Sequence, residues 1–181
     1  MKKYFIIVSL AVFLVSCTHP VHVGFDKYLK EHPTDIGKSQ TSVGYSIAPE
    51  TKSKVVYFRS AMAGVANKWQ INVGPMIKDY MDTTGPEIFK SVKEDSSKGQ
   101  PLHLDLEVVD YTFEDMRANI KMHIKATKSG KTVVDKTYEA QGRKQTGKMF
   151  WGGAAAIRHS VHQSTHLALN DIMQAFLADL K

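Results

Sequence analysis

The sequence predicts an α+β fold: a mainly antiparallel sheet with a kinked helix and a long C-terminal helix packed on one face. Three observations carry this. Residues 102–109 and 120–126 alternate apolar and polar side chains with period two, as half-buried strands do. Lys128-Ser129-Gly130-Lys131 is a tight turn that leads to a third strand at 132–140, with Val134, Tyr138 and Ala140 on one face. Leu169, Met173, Phe176, Leu177 and Leu180 fall on one arc of a helix spanning 154–180. The composition agrees, with 43% hydrophobic and 23% charged residues in 181. That excludes a wholly disordered chain and a collagen-like one, and is enough for one domain. A single cysteine excludes a disulfide scaffold and a Cys-rich zinc module.

The chain starts with Met1-Lys2-Lys3 and an apolar run over 4–15. A basic start and a short apolar core make a secretory signal, too short to span a bilayer. The run ends in Leu14-Val15-Ser16-Cys17, which resembles the lipobox of bacterial lipoproteins. The resemblance implies cleavage before Cys17, diacylglycerol on its sulfur and a third acyl chain on the new N-terminus. Residues 1–16 are then a lipoprotein signal peptide, 17–40 a lipidated cysteine and tether, and 41–181 a single periplasm-facing domain. Thr18, rather than Asp, follows the cysteine. By the sorting rule for such lipoproteins this favours the outer membrane. Cleavage removes Lys2 and Lys3, so the net charge of +6 falls by two and does not suggest a nucleic-acid partner. With Cys17 acylated, no thiol remains for redox or thiolate chemistry.

Within the tether, 25–30 reads either as a plain solvated linker, the favoured reading, or as one helical turn whose Phe25, Tyr28 and Leu29 pack on the domain or dip into headgroups. Residues 41–47 and 54–59 read as strands separated by Pro49 and Glu50. Residues 60–68 are Ala-rich, between loop and helical turn, and 69–73 alternate as a third short strand. Gly74-Pro75 starts a helix, with proline suited to a first position. Pro86 interrupts it, and the apolar spacing resumes through Val92, so 75–93 reads as a kinked helix or two short ones. Residues 95–100 are a polar turn. If the strands of the meander pair with Leu104 opposite Ile124, then Asp105 faces His123 and Glu107 faces Lys121, which favours that register.

Four constellations could carry chemistry. His159, His162 and His166 share one face of the last helix, at spacings that can bind zinc or copper. They lie in the same arc as Leu169 and Met173, which instead predicts half-buried, hydrogen-bonded packing groups that titrate with pH. Lys128-Ser129-Gly130-Lys131-Thr132 resembles the end of a phosphate-binding loop, but Lys125 stands where that pattern needs glycine and a strand follows. Asp105, Glu107, Asp110, Glu114 and Asp115 read as a salt-bridged surface rather than paired catalytic acids. Arg143, Lys144, Lys148 and Arg158 flank Phe150-Trp151, either a junction capping the core or a contact for lipid or lipopolysaccharide headgroups. Gly152-Gly153 makes this the most mobile or closely approached junction. No nucleophile stands beside a base in any known motif, so no enzyme activity and no cofactor beyond the covalent lipid is expected.

The order of strands, helix, three-strand meander and long final helix resembles the small bacterial lipoproteins of the YajG type. More loosely it resembles the auxiliary lipoproteins of envelope lipid-transport systems. The resemblance covers about 54–180 and rests on Val73-Gly74 entering the helix, the 102–108 strand, the Gly130-Lys131 turn and the Ala-rich helix from Ala154. It implies a non-enzymatic accessory or scaffold subunit, held to the membrane by its acyl chains and docked to an envelope protein partner. A lipid-binding module using the sheet–helix groove and a metal-binding protein using the His159 face are the alternatives.

Overall fold

The structure, a computed structural model, describes residues 18–59, 67–95, 99–144 and 149–180. The element order is β1 (Thr18–Pro20), α1 (Phe25–Glu31), β2 (Ser42–Ile47), α2 (Pro49–Ser53), β3 (Val55–Phe58), β4 (Lys68–Asn72), α3 (Val73–Thr83), α4 (Gly85–Ile88), β5 (Ser91–Glu94), β6 (Leu102–Glu114), β7 (Arg117–Lys128), β8 (Lys131–Gln141) and α5 (Met149–Asp179).

β6, β7 and β8 form the expected meander. Its inner face buries Leu104, Leu106, Ile120, Ile124 and Val134. The β6–β7 register differs from the expected one by two residues: Leu104 lies opposite Ala126 and Leu106 opposite Ile124. A slip of two keeps every side chain on its own face, so periodicity cannot distinguish the two registers. The turn decides. Asp115 (φ 48°) and Met116 (φ 61°) both take left-handed backbone between Glu114 and Arg117, which is the conformation of a two-residue hairpin. Asp115 tolerates that backbone, but Met116 stands where the turn favours glycine, so the pair gives a weak signal in the sequence. Asp105 lies opposite Lys125 and Glu107 opposite His123, and cross-strand pairs of this kind contribute about 0.2–1 kcal/mol each. A bulge between Val108 and Asp110 turns Val109 outward.

The five-stranded sheet has the order β5-β2-β6-β7-β8 and is mixed, because β2 runs parallel to both β5 and β6. Residues 91–93, expected at the end of the kinked helix, belong instead to strand β5. The helix stops because Phe89 is extended (φ −118°, ψ 162°), after which Val92 folds back onto Gly85. β2 and β3 do not pair. The short helix α2, with Pro49 in its first turn, carries the chain out of the large sheet. β3 then joins a second sheet of order β1-β4-β3.

The helices cover one face of the five-stranded sheet. α3 buries Met76, Ile77, Tyr80 and Met81. α5 buries Ile157, Val161, Leu169, Ile172, Met173 and Phe176, each contributing about 1.5–3 kcal/mol. Leu177 and Leu180, at its end, are partly buried. Gly153 breaks α5 with φ 49° and ψ −134°, so the regular helix begins at 154 as expected. The meander is also tied to α5 by polar atoms: Ser164 Oγ accepts from the Ala118 N–H at 2.8 Å, and the Tyr111 and Thr165 hydroxyls bond at 2.7 Å.

The segment expected to be a tether is built into this body. β1 pairs parallel with β4. α1 buries Phe25, Tyr28 and Leu29, and Val21 is fully enclosed.

Candidate functional site

Residues next to the expected acylation point enter the fold at once. Cys17 itself lies outside the described residues, as does the signal segment 1–16. Thr18 is the first residue of β1 and pairs with Lys68, His19 pairs with Trp69, and Pro20 pairs with Gln70. Consecutive Cα atoms are about 3.8 Å apart, so the expected acylation point is one residue from the start of β1, an edge strand of the three-stranded sheet. His19 stacks against Trp69 at 4.9 Å on the inner side of that sheet. Among the described residues no helix is long and apolar enough to cross a membrane.

His159, His162 and His166 share one face of α5, as their spacing requires. That face meets α1 as well as the sheet, and the three rings converge on Tyr28, with centroids at 5.5, 5.7 and 6.0 Å. His32, beyond the end of α1, stacks on the same tyrosine at 4.1 Å. The phenol ring therefore fills the point at which the imidazoles aim. Each buried ring has its own partner. His162 Nε2 donates to the Val21 carbonyl at 2.7 Å. His166 Nε2 accepts from Asn170 Nδ2 at 3.1 Å, and Asn170 Oδ1 accepts from Tyr80 at 2.8 Å. Burial holds the pKa values of His162 and His166 down at about 4 from the ordinary 6.5, so both rings are neutral near pH 7. Among the described residues no group of three or more His, Cys, Asp or Glu is placed to hold a metal ion.

The basic and aromatic segment is described only in part. Arg143 and Lys144 follow β8 and are exposed. Lys148 lies outside the described residues. Phe150 and Trp151 lie on the short helical stretch before Gly153, and their side chains lie outside the description.

A second polar cluster was not anticipated. Ser46 Oγ donates to Asp105 Oδ1 at 2.7 Å, and the His103 Nε2 edge meets the same oxygen at 3.1 Å. A nucleophile relay needs serine and carboxylate on opposite ring nitrogens. Here both serine and histidine converge on one carboxylate oxygen, and His103 Nδ1 is buried without a partner. The cluster ties β2 to β6 and has no relay geometry. Glu107 and Asp135 form a surface network, with His123 between Asp135 at 2.7 Å and Glu107 at 3.7 Å and Lys125 at 3.8 Å from Asp135.

Two adjoining open cavities, of about 300 and 520 Å³, share Gly37 and Leu177 near the end of α5. Leu102, Leu177 and Leu180 supply apolar floor, with Lys38 and Lys128 on the lining. This is the sheet–helix groove. Most of its polar edge is hidden in the sequence, because residues 35–40 fall within the expected tether.

No family model matches the chain, and no curated protein does. Among solved structures, a hypothetical protein of Chlamydia trachomatis, CT253, aligns at 7% identity with a TM-score of 0.47, over 77% of this chain and 95% of its own. Protein XCC0632 from Xanthomonas campestris, assigned to the DUF330 family, aligns at 14% identity with a TM-score of 0.51, over 81% of this chain and 90% of its own. At that identity the likeness is one of fold: this chain is similar in architecture to XCC0632.

Proposed function

We propose that this chain is a lipid-anchored lipoprotein of the bacterial outer membrane, facing the periplasm. Its role is that of a non-enzymatic accessory or scaffold subunit of an envelope complex, as in the YajG-type and transport-auxiliary lipoproteins it resembles. The observation that carries the reading is the junction at residues 17 and 18. A lipobox cysteine directly abuts a strand of the domain. Acyl chains there hold the domain against the bilayer with no slack, which suits a fixed part of a membrane assembly. Two or more chains make such anchoring stable. A partner strand could add at β8, an 11-residue strand at the edge of the five-stranded sheet.

The test is an in-cell crosslink and pull-down from membranes, with Cys17→Ser as control. A discrete protein partner that disappears in the control is the expected result. A monomer in both samples contradicts the scaffold role.

A second reading has its own support. The groove floored by Leu102, Leu177 and Leu180 and edged by Lys38 and Lys128 has the chemistry for an acyl chain with an anionic head. In that case the protein carries or senses an envelope lipid rather than docking a protein.

A further inference from the structure

The three-stranded sheet has an outer face whose composition differs from the rest of the surface. Strand register sets its members. Val55 lies opposite Asn72, Tyr57 opposite Gln70, and Thr18 opposite Lys68. Alternation sends their neighbours Val56, Phe58, Trp69 and Ile71 inward, where Phe58 packs on Phe113 at 4.7 Å. The outer members include two exposed apolar side chains, Val55 at 41% and Tyr57 at 50% exposure. Exposed aromatics with a polar tip favour the headgroup level of a bilayer. Lys68 lies over the Tyr57 ring at 3.9 Å.

Charge on this sheet has one sign. Strands β1, β3 and β4 contain no carboxylate, whereas Lys68 lies on their outer face. The outer face of the five-stranded sheet is different, since Asp105, Glu107 and Asp135 there balance Lys125 and His123. A cationic, partly apolar face complements an anionic lipid surface.

Position decides the occupant. Thr18 lies on this outer face, and the next residue toward the N-terminus is Cys17. Acyl chains attached one residue away bring the face within reach of headgroups without any linker to extend. We infer that the outer face of the β1-β4-β3 sheet lies on the membrane surface, with Tyr57 and Val55 at headgroup depth and Lys68 against lipid phosphates. This rests on the lipid-anchor reading above and adds an orientation to it. The meander edge β8 and the end of α5 are then left for partners.

The experiment uses the acylated full-length protein in vesicles of phosphatidylethanolamine and phosphatidylglycerol. These are doped with phosphatidylcholine carrying a diazirine near its glycerol. After photolysis, peptides are mapped for lipid adducts. Val133 on β8 is as exposed as Val55, at 46%, and serves as the matched reference. The expected result is adducts concentrated on 55–58 and 68–70 and absent around Val133. In the doubly substituted Val55→Glu, Tyr57→Glu protein, adducts on 68–70 fall several-fold while the protein still floats with the vesicles. Both replaced side chains are solvent-exposed, so the fold tolerates the change. Adducts spread equally over Val133, or absent from 55–58 in a protein that floats, overturn the orientation and leave the anchor intact. A protein that does not float at all overturns the anchor reading and this inference with it.

Discussion

His162 and His166 give the protein an acid-sensitive joint. Each is neutral in the fold because burial holds its pKa at about 4, while an unfolded histidine titrates near 6.5. The lowered value means that the unfolded chain takes up protons first as pH falls. Their contribution to stability is present in full above pH 6.5 and is lost as pH falls toward 4, at up to about 1.4 kcal/mol per pH unit for each ring. Asp79 opposes this below its own value. Burial and the neighbouring Asp26 and Asp82 raise its pKa to about 6, so it takes up a proton in the fold first and stabilises as pH falls from 6 toward its ordinary 3.8. Its partial exposure screens that effect, and it is one group against the two more deeply buried histidines. Urea unfolding at pH 7.5 and pH 5 tests this. The midpoint falls at pH 5, and His162→Gln reduces the fall. Equal midpoints at both pH values contradict the assignment of neutral, buried rings.

At the scale of elements, α1 decides between tether and domain. Phe25 and Leu29 are fully enclosed. Leu29→Ala therefore costs about 2–5 kcal/mol in denaturant unfolding; a solvated linker would lose nothing, and an unchanged midpoint would remove α1 from the core. This helix was hard to read for a physical reason. Seven residues with prolines and glycines on either side carry too few turns for a periodic signal. The meander was legible because its strands are long and half-buried, so alternation persists over many residues. Parallel pairing of β2 with β5 and β6 leaves no local mark, since the partners lie far apart in sequence. β5, at four residues, is too short for period two to compete with the helical spacing of Ile88, Phe89 and Val92.

For the whole molecule, the features that bear on function were legible to different degrees. Cys17 is marked by a linear motif, which needs no fold. The common face of His159, His162 and His166 follows from helical period alone. What that face meets depended on α1, and Tyr28 at its centre was invisible without it. The outer face of the three-stranded sheet was equally hidden, because it exists only when Thr18 pairs with Lys68, 50 residues on. Together these put the proposed acylation point, the Lys68 face of the three-stranded sheet and the β8 edge on one small body. That combination supports a scaffold fixed to a bilayer.

The central claim is acylation at Cys17, and the most direct measurement is the mass of the N-terminal peptide of protein purified from membranes. The expected peptide begins at Cys17 and carries diacylglycerol with a third acyl chain. A peptide that begins at Met1, or one with a free Cys17 thiol, would contradict it.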